Sequence, residues 1–258
     1  MTIKRSDPSN ISTRNLFVQM VIDALIAFII LGVLLLAGLL LVTPLGADLG
    51  GALNWLFAAD SVQLWWYVTR AAGIIAYLLL WFSMVWGLGV ASKVFDALLD
   101  RPFTYDFHEF ISLLAMGFTV LHILVLALDR YLPYSTLQIL VPFMSPYRPL
   151  WVGIGVIGFY ISLLVTVTFY LRSRIGASAF RAIHTLSLLG YVGVTLHGLF
   201  AGTDAALPAM QLIYAGTSLV VVFLTAYWLI ILGQRKLATR MAAKLPVQPV
   251  REARRMTR

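Results

Sequence analysis

HEFISLLAMGFTVLH, residues 108–122, decides the fold, because it is an almost wholly apolar stretch closed at both ends by histidine. A second stretch of the same kind, HTLSLLGYVGVTLH at 184–197, carries the other two of the chain's four histidines. Both are long enough to belong to helices that cross a bilayer, since about 20 apolar residues at 1.5 Å each span its roughly 30 Å hydrocarbon core. Outward from these two, the same criterion marks six spans: 18–42, 67–91, 106–128, 150–171, 182–201 and 211–233. The expected fold class is all-α, a polytopic six-helix transmembrane bundle.

Composition supports a lipid solvent. Of 258 residues, 60% are hydrophobic and 12% charged, whereas soluble domains carry about 25% charged residues. The first span follows a polar stretch and has too long an apolar run for a cleavable signal, so it is expected to stay as a membrane helix. The expected organisation is a cytoplasmic segment at 1–17, a transmembrane domain at 18–233 and a basic cytoplasmic tail at 234–258. Cysteine is absent, which excludes disulfides, iron-sulfur clusters, thiolate-ligated haem and CxxCH haem attachment.

The net charge of +8 is not spread evenly. Lys4, Arg5 and Arg14 precede the first span, Lys93 and Arg101 follow the second, Arg172, Arg174 and Arg181 follow the fourth, and eight more lie after residue 233. On the opposite side stand Arg130 and Arg148, with Arg70 near the same face. By the positive-inside rule both termini face the cytoplasm, and the expected location is the cell (inner) membrane, multi-pass. The basic tail suits anionic membrane lipid or an acidic protein, and no nucleic acid is expected. The outer connections are long: 43–66 holds Trp55, Trp65 and Trp66, and 129–149 holds prolines at 133, 142, 146 and 149, against a long helix. On the inner side, RPFTYDFHEF at 101–110 suggests that Pro102 ends one element and that Asp106 with Glu109 opens the next as a capping box.

The histidines then fall at two depths. Spacings of 14 and 13 residues correspond to about 20 Å along each helix, and the third and fifth spans run in the same direction. One histidine in a membrane helix is often a packing residue, but two matched pairs offer what six-coordinate haem iron accepts, an imidazole from either side. Zinc or di-iron sites would need carboxylates or further ligands at these levels. One difficulty follows from helix geometry. At 100° per residue, His108 and His122 lie about 40° apart, but His184 and His197 about 140° apart, so a straight ideal helix five does not serve both levels from one stripe; Gly190 and Gly193 permit a bend or close helix approach, and rotamers and tilt add reach.

The paired frame H-x13-H on the third span and H-x12-H on the fifth resembles the ferric-reductase-like transmembrane domain of ferric reductases, NADPH oxidases and the haem subunit of bacterial methionine sulfoxide reductase systems. The resemblance covers about residues 65–235 and includes TRAAGIIAYLLL at 69–80, the run Arg181 to Ser187 around His184, and LHGLFAGTD at 196–204. It implies two b-type haems, His108 with His184 on the inside and His122 with His197 on the outside as iron ligands. It further implies Arg70 near an outer propionate or acceptor, with Arg181 a candidate for an inner propionate. Electrons would pass from a cytoplasmic or quinol donor to an acceptor at the outer face.

WVGIGVIGFY contains Gly153, Gly155 and Gly158 in the dinucleotide-binding pattern. That pattern needs a preceding strand and a following acid; inside a membrane helix, glycines at this spacing point to close helix packing. The residues after the last span leave no room for a flavin or nicotinamide domain, so the expected electron source is a separate flavoprotein, a quinol, or bound FMN or quinone. The competing expectation is a transporter or a proton or ion channel with histidines along its path, for which Asp23 in the first span is the best further residue.

Overall fold

The computed structural model describes residues 64–96, 98–128 and 134–244. They form α1 (Leu64–Ser92), α2 (Arg101–Leu128), α3 (Thr136–Leu140), α4 (Pro149–Tyr170), α5 (Arg172–Ile175), α6 (Ala177–Ala201) and α7 (Pro208–Lys244), with no strand among the described residues. Five of these helices, α1, α2, α4, α6 and α7, are long and apolar enough to cross a membrane. A helix meets all its interior backbone polar groups within itself, which lipid requires. The expected first span at 18–42, with Asp23, and Trp55 lie outside the described residues, as does the chain beyond residue 244.

The helix ends correct several expectations. The helix carrying His108 begins at Arg101 rather than Asp106. Pro102 opens it instead of ending what precedes, because the first turn has no use for the missing N–H. Thr104 N–H donates to the Asp100 carbonyl at 3.0 Å, and Glu109, expected in a capping box, accepts from the Tyr170 hydroxyl at 2.9 Å. A capping box does occur in the proline-bounded connection between α2 and α4, where Ser135 and Gln138 close the start of short α3. The sixth span, expected to end at 233, continues as helix to Lys244. Arg235, Lys236 and Arg240 therefore stand exposed on a helix rather than in a loose tail. At 1.5 Å per residue, the 37 residues of α7 measure about 55 Å, well beyond the hydrocarbon core.

At its other end α1 stops in a Schellman turn: Val94 N–H donates to Gly89 at 3.0 Å and Lys93 N–H to Val90 at 3.1 Å. Lys93 takes the left-handed conformation there, at φ 62°.

Packing divides the helices into two antiparallel pairs. α1 lies along α2, α4 lies along α6, and α7 covers α1. The Gly-x-Gly-x-x-Gly run sits inside α4. A Cβ on Gly158 would meet Val194 at 2.8 Å, and one on Gly190 would meet Ile161 at 3.1 Å, so glycine permits the close α4–α6 contact. By contrast α2 and α6, which carry the histidines, hardly touch. A seam therefore runs between the two pairs. Beside it a buried cluster of Tyr77, Tyr191 and Tyr214 with Met84 and Leu88 ties α1, α6 and α7 together. The Tyr77 hydroxyl satisfies its polarity 2.6 Å from Thr217 and 3.3 Å from Tyr191.

Candidate functional site

The seam encloses a cavity of about 400 Å³ that all four histidines line, a size ordinary for a bound organic ligand. At one level the ring centres of His108 and His184 are 6.1 Å apart, with planes crossed at 83°. At the other, those of His122 and His197 are 6.5 Å apart, crossed at 77°. The fourteen residues from His108 to His122 separate the levels by about 21 Å along α2.

These separations have a chemical meaning. An imidazole nitrogen lies about 1.1 Å from its ring centre and binds a first-row metal at about 2.0–2.1 Å, so two imidazoles on opposite sides of one ion hold their ring centres about 6.3 Å apart. Both pairs fall within 0.2 Å of that distance. Among the described residues no group of three or more histidines, cysteines or acids stands together, so each level offers two nitrogens and leaves the remaining coordination positions to another group. A planar macrocycle with four nitrogens of its own fits that donor set.

How each ring is held differs between the levels. His122 Nδ1–H donates to the Thr69 carbonyl at 2.8 Å, and His197 Nδ1–H to the Trp151 carbonyl at 2.9 Å. A carbonyl only accepts, so the proton is fixed on Nδ1 and Nε2 keeps its lone pair. At the other level the buried Nδ1 atoms of His108 and His184 have no hydrogen-bond partner among the described residues. Phe180, one turn earlier on α6, packs against His184 with ring centres 5.3 Å apart.

The angular difficulty of the 13-residue spacing is met without a break, since α6 is one uninterrupted helix from Ala177 to Ala201. His197 lies against α4, where its ring rests on Gly155, while His184 stands beside Phe180. The two side chains leave α6 on different sides and still reach their partners. Anchoring of the α6 end helps: the Tyr147 hydroxyl donates to the Ala201 carbonyl at 3.1 Å and the Arg148 guanidinium donates to that of Phe200.

Arg70 lies at the cavity end nearest His122, where it forms an ion pair with Asp204 and donates from Nε at 2.6 Å. Its guanidinium also stacks over Trp66, 4.0 Å from the ring centre. Asp204 has no role in the sequence reading of LHGLFAGTD, although it is the only carboxylate in the sequence between Asp129 and Glu252. Arg181 is exposed and does not line the cavity. Comparison with protein-family models, with curated proteins and with solved structures finds no match for this chain.

Proposed function

We propose that the chain is a membrane b-type cytochrome that carries electrons through two bis-histidyl haems, His108 with His184 and His122 with His197. The observation that carries this is the pair of imidazole–imidazole separations, 6.1 and 6.5 Å, across one cavity. The four-histidine frame, which resembles that of ferric-reductase-like proteins, adds support. Haem b held by these histidines would supply reversible one-electron chemistry at iron.

The chain's own residues hold and orient. Thr69 and Trp151 fix the tautomer and rotation of His122 and His197 through their carbonyls. Apolar side chains such as Met116 and Ile74 line the cavity. Arg70, held by Asp204 and Trp66, puts a guanidinium at one cavity end, where it suits a propionate carboxylate or an anionic acceptor. With both termini placed in the cytoplasm by the positive-inside rule, His108 and His184 form the inner level and His122 and His197 the outer. The donor would then be a cytoplasmic flavoprotein or a membrane quinol, and the acceptor would stand at the outer face. A proton or ion pathway is less well served, because the one carboxylate that lines the cavity among the described residues, Asp204, is tied to Arg70 at its end.

The purified protein is expected to show a reduced-minus-oxidised b-type spectrum and two haems per chain by pyridine haemochrome. Well-folded protein that takes up no haem during expression with excess precursor refutes the proposal; one haem per chain refutes the two-level form.

A further inference from the structure

Three of the four imidazoles rest on a glycine of the neighbouring helix. A Cβ at Gly73 would stand 2.9 Å from His122 Nδ1 and 3.1 Å from its Cε1. At Gly87 it would stand 3.0 Å from His108 Cε1 and 3.3 Å from Nε2. At Gly155 it would meet three atoms of His197, Nδ1 at 2.5 Å, Cγ at 2.7 Å and Cε1 at 2.9 Å. The 14-residue interval from Gly73 to Gly87 on α1 equals that from His108 to His122 on antiparallel α2.

A second regularity joins the first at the His122–His197 level. The carbonyls that accept from the rings belong to Thr69 and Trp151, each four residues before the glycine on which that ring lies. In an α-helix the carbonyl of residue i is bonded to the N–H of residue i+4. Each imidazole is therefore laid across a single helical turn, with its N–H sharing the carbonyl at the start of that turn and its ring over the glycine that ends it. The ring cannot slide away from an added methyl without giving up its hydrogen bond, and it cannot keep the bond without a clash.

We infer that Gly73, Gly87 and Gly155 are positioning residues, each setting the orientation of one imidazole and hence the coordination geometry of its own level only. The imidazole geometry stands by itself; its consequence for haem rests on the proposed function. The severity of an added methyl follows the contact distances, with Gly155 first, Gly73 next and Gly87 mildest. Gly117 and Gly216, where an added Cβ meets nothing within 4 Å, are internal controls that also lie within helices.

The test uses the full-length chain in lipid nanodiscs with Gly73→Ala, Gly87→Ala, Gly155→Ala and the two control substitutions. The angle between two axial imidazole planes governs the anisotropy of a low-spin ferric haem, so the EPR signal of each level reports its ring orientation. Gly73→Ala and Gly155→Ala are expected to shift or abolish the signal of the level that His122→Ala removes, leaving the other level's signal unchanged. Gly87→Ala is expected to do the converse, and the controls to do neither. In parallel, with only four histidines, [15N]His NMR of the haem-free protein reads the Nδ1–H hydrogen bonds directly. Gly73→Ala should move the His122 resonance alone, and Gly155→Ala that of His197 alone. Unchanged resonances and signals in all three variants, or equal disturbance of both levels in folded protein, overturn the inference. If the two harsher variants fail to fold, Gly87→Ala decides it by the same criterion at His108. If the chain binds no haem while the NMR shifts follow the glycines, the haem proposal falls and the ring sockets stand.

Discussion

Removing either partner of the Arg70–Asp204 pair should destabilise the protein by an amount its burial sets. The two side chains keep 26% and 18% of their exposure, between exposed pairs at about 0.2–1 kcal/mol and the roughly 3–5 kcal/mol lost when a buried pair is broken. A charge-assisted hydrogen bond at 2.6 Å from Nε adds geometric strength. A coupling energy of about 1–2 kcal/mol is expected from the cycle of Arg70→Ala, Asp204→Ala and the double variant. Asp204→Ala alone should cost about 2 kcal/mol, because Arg70 is left stacked on Trp66 without a counter-charge. At about 2–4 °C per kcal/mol, the apparent Tm should fall by about 4–8 °C. Intrinsic tryptophan fluorescence at a fixed scan rate in detergent follows it. The double variant should lose less than the sum of the two single losses. Strict additivity, or a Tm for Asp204→Ala within 1 °C of wild type, would show that the pair contributes nothing and that the cavity end near His122 is held by other contacts.

Three further outcomes are expected. His108→Ala and His184→Ala should remove the same haem from the EPR and redox-titration profile, and His122→Ala and His197→Ala the other; loss of different haems within a pair contradicts the pairing. Tyr77→Phe deletes a hydroxyl bonded to Thr217 and Tyr191 and should cost about 1 kcal/mol, far less than the roughly 3–5 kcal/mol of emptying the site with alanine; a Tm for Tyr77→Phe at or above wild type counts against the buried hydroxyl network. Lys93→Gly relieves a left-handed lysine at φ 62° and should stabilise by about 1 kcal/mol, raising Tm by about 2–4 °C; a fall in Tm would mean that the Lys93 side chain contributes more than its backbone costs.

Much of the frame was legible because polar residues in apolar runs are conspicuous. His108, His122, His184 and His197 stand out for that reason, and so do the five described membrane-length helices. Helix ends were less legible: hydropathy falls at 101–105 and after 233, but helix formation does not, since polar residues such as Gln234, Arg235 and Lys236 sustain a helix in water. The acceptors Thr69 and Trp151 act through main-chain carbonyls, which leave no mark in a sequence. Arg70 and Asp204 are 134 residues apart, and only the fold brings them together. The matching interval of Gly73 and Gly87 was present in the letters, yet it acquires meaning only once α1 is known to lie antiparallel to α2.

The seam between the two helix pairs bears on how such a protein is made. Among the described residues α2 and α6 have almost no direct contact, so a ligand that bound between them would bind the closed arrangement and not the separated hairpins. Such a ligand would stabilise by mass action, with the logarithm of its concentration once that exceeds its Kd. If such a ligand exists, yield in a host starved of it should fall through degradation of half-closed chains.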